Sequence, residues 1–279
     1  VSDDEIIVMV AGLFVSAWLV ISWYMRLGIG SVAPYPGGWR MRLGFLPVGL
    51  MACILAVLLL ASAQDVRSAP QYVVFYLILG TAWIFAWVRV MPLFGVSYRD
   101  DAVERRNPAA AVLIVSAMAA HTAIFSGANI GDGPGWWVVV FSGTIAAAIW
   151  YALWWAVEGV VNASEQVTVG RDLPAALRLG GYMIASGVVL GRAAAGDWVS
   201  ADATIREFSA GWPALALAVV AIGLEKLLSR PARASASLGL AIGIAYILIG
   251  VIAVWQSPPL SQNPIYDQPG YGQPESYYQ

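Results

Sequence analysis

One cysteine and one histidine among 279 residues leave little for the commonest site chemistries. Cys53 alone cannot form a disulfide within the chain, and it lies in an apolar run where a thiol serves packing. A lone His121 rules out a His/Cys metal centre built from one chain and a haem held by paired histidines. Charge is scarce too. Only 11% of residues are Asp, Glu, Lys or Arg, against roughly 25% in a soluble domain. Basic residues stand singly or in pairs without a stripe, which excludes nucleic acid as a partner. No HExxH, no glycine-rich loop with Lys-Ser/Thr and no carboxylate cluster within an apolar run is present, so neither an enzyme nor a bound cofactor is expected.

Apolar residues are abundant, at 59% of the chain. They gather into eight runs, at roughly 6–25, 43–63, 71–92, 108–128, 136–157, 175–195, 209–228 and 235–255. In a lipid bilayer each must be a helix, because every backbone donor and acceptor has to be satisfied within its own segment. Of the 15 basic residues, 12 fall in or beside the odd-numbered connections. Arg67, Arg192 and Arg206 fall on the other side, together with the acidic start SDDE and the C-terminal end. By the positive-inside rule the odd connections are cytoplasmic and both termini are outside. Asp3, Asp4 and Glu5 occupy the place of a basic n-region, which fits an exported N-terminus better than a cleaved signal.

Arg-Leu-Gly occurs twice, at Arg42 and Arg178, each time opening an apolar run. The offset of 136 residues also carries Trp18 onto Trp154 and the first three spans onto the fifth to seventh. The fourth aligns with the eighth once the long third connection is shortened. This predicts an all-α polytopic membrane protein of eight helices in two parallel four-helix repeats, 1–133 and 134–256. Residues 257–279, rich in Pro, Gln, Gly and Tyr, are expected to form a disordered extracytoplasmic tail.

The stretch DLPAALRLGGYMIASGVVLGRA, a polar turn followed by alanines and an LGG-bearing helix, resembles the bacterial inner-membrane family catalogued as domain of unknown function 350. The second half fits better than the first. There RNPAAAVL keeps the Asn and the alanines but lacks the LGG glycines, and Asp172 stands where the family has Asn. The resemblance implies a four-span unit that can occur twice, set in the cytoplasmic membrane of a bacterium. It implies no reaction.

Ionisable groups within spans are costly and mark function by default. His121 lies near the middle of the fourth span, either as a proton relay or as a neutral imidazole bonded to a neighbouring helix. Glu158 and Asn162, one turn apart at the end of the fifth span, hold a cation or proton, or accept a hydrogen bond from Arg171 or Arg178. Arg42 and Arg178 are expected to reach headgroup phosphates, with Arg89, Glu225 and Lys226 snorkelling at the same cytoplasmic interface. Small residues at four-residue spacing, Gly187 and Gly191, Gly239 and Gly243, Ser116 and Ala120, suit close helix packing. The same surfaces could serve a homo-oligomer or an envelope protein partner. The function these readings favour is passage of a small solute or ion at the boundary between the repeats. The alternative is an accessory subunit that anchors an envelope complex through its helix faces and tail.

Overall fold

Helix is the state these runs adopt. The computed structural model describes residues 3–28, 39–131, 133, 135–198, 201–228 and 235–260, with no strand among them. The eight long helices are α1 (Asp3–Arg26), α2 (Trp39–Leu60), α3 (Pro70–Val88), α4 (Pro108–Ala128), α5 (Trp136–Val161), α6 (Leu173–Ala194), α7 (Trp212–Leu228) and α8 (Ala236–Trp255). Each is long and apolar enough to cross a membrane, the third together with the turn to Phe94 and the seventh together with the preceding residues from Thr204. The chain is therefore an integral membrane protein, with eight helices among the described residues able to span a bilayer. Of the tail expected over 257–279, residues 261–279 lie outside the described residues.

The ends follow local chemistry. Asn107 caps α4, its Oδ1 accepting from the amides of Ala109 (3.0 Å) and Ala110 (3.4 Å). Asp172 caps α6 in the same way through the amide of Ala175 (2.9 Å). The third span was expected to run to 92, but the α-helix stops at Val88. A 3₁₀ turn at Met91–Phe94 then contains Pro92, which has no N–H to give, and ends at Gly95 with φ 78°. The seventh was expected from 209. It restarts at Trp212, after a separate amphipathic helix, Ala201–Ser209, because Gly211 and Pro213 interrupt the backbone ladder.

The centre is α4 against α6, the closest pairing in the molecule, and it joins the halves on either side of residue 134. Both helices are rich in small residues, so their backbones nearly touch. A Cβ on Gly187 would stand 2.5 Å from Cα of Ala120, and one on Gly191 2.5 Å from the carbonyl of Ala123. On its other side α6 meets α8, where Gly239 lies against Pro174 and Gly243 against Leu177. The partners advance together along each pair, so α4, α6 and α8 run parallel. Around this core α1 packs on α3, α2 on α3 and α4, α5 on α6 and α7, and α7 on α6 and α8. Cys53, expected to pack inside, is exposed on the outer face of α2.

Candidate functional site

Three helices, α3, α4 and α5, form a seam that holds most of the polar groups of interest. His121 lies there, fully buried. Its imidazole stacks on Trp87 of α3 (centroids 5.6 Å apart, planes at 12°) and on Tyr151 of α5 (5.1 Å, 27°). Trp150 closes a third side at 4.9 Å. The rings are fixed by backbone bonds. Trp83 Nε1 donates to the His121 carbonyl (3.2 Å), the Tyr151 hydroxyl to the Trp87 carbonyl (2.5 Å), and Trp150 Nε1 to the Met183 carbonyl of α6 (3.0 Å). Gly143 makes room for this cluster, since a Cβ there would press on the Trp83 ring at 3.1 Å.

Neither nitrogen of His121 has a hydrogen-bonding partner among the described residues. The bland expectation for this residue was a neutral imidazole bonded to a neighbouring helix, and no such bond is made. An unsatisfied buried polar group costs about 1–3 kcal/mol, which an aromatic residue such as phenylalanine would avoid. Ser142 Oγ of α5 is likewise buried and without a hydrogen-bonding partner among the described residues.

Toward one end the three helices open into a polar pocket. Its lining includes Glu5, Asp65, Tyr72, Tyr76, Asn129 and Trp136. The Tyr72 hydroxyl donates to Glu5 (3.3 Å), and Asn129 Nδ2 donates to the Phe125 carbonyl (2.7 Å). Eight residues of α4, about 12 Å of rise, separate Asn129 from His121.

Toward the opposite end Phe94 stacks on Tyr151 (5.3 Å). Below it Glu158 accepts from Ser164 twice, from the amide (2.7 Å) and from the hydroxyl (2.5 Å). Ser164 packs against Gly95. Glu158 thus anchors the short helix Ala163–Thr168, about 10 Å along α5 from Tyr151. It does not take a bond from Arg171 or Arg178 in any contact described. Arg171 instead donates to the Arg105 carbonyl. Asn162 is exposed and forms the left-handed turn (φ 49°) between the two helices, and no contact described joins its side chain to Glu158.

The interface residues divide. Arg42 is exposed at the start of α2, and Lys226 is exposed near the end of α7. Arg178 was expected at the headgroups, and the structure corrects this. Its side chain is 1% exposed and forms a two-pronged bond to Glu225 of α7, with Nε–Oε1 and Nη2–Oε2 both 2.7 Å. The cause is rotation of α6, which turns this face onto α7 and Tyr246 of α8. Arg89 also departs from expectation, since it does not snorkel outward. Its Cζ lies 4.8 Å over the Trp18 ring, and its Nη2 is 3.5 Å from the Leu19 carbonyl, back along α1 toward the bilayer.

No group of three or more His, Cys, Asp or Glu able to hold a metal exists among the described residues. The aromatic cage around His121 escaped the sequence reading, which considered that residue alone. The available signal was Trp83 and Trp87, four apart and so on one helical face, opposite the run IWYALWW. Comparison of the chain with family models, curated proteins and solved structures finds no match.

Proposed function

We propose that the protein passes protons across the membrane along the α3–α4–α5 seam, with His121 as the station at mid-depth. One observation carries this reading: a fully buried imidazole with both nitrogens unpartnered, below a polar pocket. A metal cation needs several oxygen ligands, and His121 is surrounded by ring faces. An imidazole accepts a proton at one nitrogen and releases it from the other. The stacked faces of Trp87 and Tyr151 offset part of the cost of burying the cation so formed. Glu158 is the proton-exchanging group toward the other end. The bacterial cytoplasmic membrane is the setting that the resemblance to domain of unknown function 350 suggests.

The test is proton flux into liposomes containing the purified protein, read by a trapped pH-sensitive dye under an imposed potential. Wild type should exceed empty liposomes. His121→Ala should lower its flux at least about tenfold while circular dichroism and elution volume stay unchanged. Equal flux from wild type and His121→Ala, or none from wild type, overturns the proposal.

A second reading has its own support. The α4–α6–α8 core is filled backbone to backbone, as suits a rigid anchor for a partner complex. On that reading His121→Ala is silent, and removing the residues after Trp255 abolishes co-purification of the partner.

A further inference from the structure

Arg89 and Arg26 stand near each other at the ends of α3 and α1. Neither forms an ion pair among the described residues. The connection that follows, residues 27–39, contains no Asp or Glu. The nearby acids are engaged elsewhere, Asp101 with Arg105 (2.9 Å) and Glu104 with Arg99 (2.9 Å). Arg26 is close enough to repel Arg89, and it also lies beside Tyr98. The Tyr98 hydroxyl is buried and makes no hydrogen bond of good geometry. The second half shows the contrast. The positions 136 residues on from Arg42 and Arg89 are Arg178 and Glu225, and there an internal carboxylate answers the arginine.

Depth and surroundings narrow the missing anion. Leu19, whose carbonyl Arg89 approaches, is seven residues before Arg26, about 10 Å of helix rise into the span. Trp18 beneath the guanidinium is 65% exposed on the outer face. Phe14, Ile21 and Met25 share that exposed apolar face of α1. A cation there has an aromatic face on one side and the bilayer on the other, and an unpaired charge at that depth is costly. Guanidinium groups hold phosphate through paired, charge-assisted bonds.

We infer that Arg89 and Arg26 hold the phosphate of an anionic lipid, with one acyl chain lying along Phe14, Trp18, Ile21 and Met25. The site is independent of the proton path, since it lies on the outer face of α1 and α3.

The experiment places the full chain in nanodiscs of phosphatidylcholine doped with phosphatidylglycerol, then counts the lipids retained after detergent extraction by native mass spectrometry. Wild type should retain phosphatidylglycerol well above its share of the bilayer. Arg89→Gln and Arg26→Gln should each lower that enrichment about fivefold. Arg99→Gln makes the same charge change at the same end and should leave enrichment unaltered. Arg26 is exposed, so its variant keeps the test decisive even if Arg89→Gln fails to fold. Undiminished enrichment in Arg26→Gln, or an equal loss in Arg99→Gln, overturns the site. Displacement of the retained lipid by millimolar inorganic phosphate overturns the lipid assignment in favour of soluble phosphate.

Discussion

Gly191 and Gly159 look alike in sequence, and their surroundings are opposite. A Cβ on Gly191 would meet the Ala123 carbonyl at 2.5 Å, whereas Gly159 has nothing within 4 Å. Gly191→Val should therefore push α6 off α4 and destabilise the protein by about 1–3 kcal/mol or more. Gly159→Ala should be neutral or stabilising by up to about 1 kcal/mol. Unfolding in mixed micelles of increasing SDS fraction, followed by circular dichroism, separates the two. Arg178 and Glu225 call for a paired comparison. Either Arg178→Met or Glu225→Leu leaves a buried charge unanswered and should cost about 3–5 kcal/mol. The double variant should recover most of that loss, because it removes both charges together. Failure of the double variant to recover stability would mean that the pair contributes more than its mutual neutralisation.

The element that decides how the arginine-rich ends of α4 and α6 are joined is the short helix Ala163–Thr168. Asn107 serves two helices at once, since its Oδ1 caps α4 while its Nδ2 donates to the Val167 carbonyl at 2.7 Å. Asn107→Ala should cost about 1–2 kcal/mol and speed hydrogen exchange over 163–168 as well as in the first turn of α4. Protection of 163–168 at the wild-type level would show that the cross-link is dispensable. The capping half of this role was legible, because an Asn or Asp shortly before Pro and alanines is a helix-start signal in both RNPAAAVL and DLPAALRL. The tie to Val167 was not, since it spans 60 residues of chain. Glu158 is similar. Its place near a helix end could be read from sequence, but its bond to Ser164 depends on the turn at Asn162.

For the molecule as a whole, contacts define two ends. Glu5, Asp65, Asn129 and Trp136 share the pocket at one end, and the Arg105 carbonyl meets Arg171 at the other. The charge bias predicts that the arginine-rich end faces the cytoplasm. Cys53 faces outward, so Cys53→Ser should be well tolerated and provide a cysteine-free background. In that background, cysteines at Arg105 and at Arg206 should label from opposite sides with a membrane-impermeant maleimide, Arg206 from outside. Labelling from one compartment would overturn the eight-span alternation, and reversed sides would overturn the orientation alone.

What sequence alone determined is the set of spans, because a membrane helix satisfies its own backbone and announces itself by length and apolar composition. Which way each helix turns was decided only by tertiary packing. In a bilayer the buried and lipid-facing sides of a helix are both apolar, so periodicity does not reveal the inner face as it does in water. That is why Arg178 was read as a headgroup anchor and is in fact buried against Glu225, and why the rings around His121 came together unseen. Side-chain partners on different helices are set by rotation and depth, and those emerge only when the small residues of α4, α6 and α8 lock their backbones together.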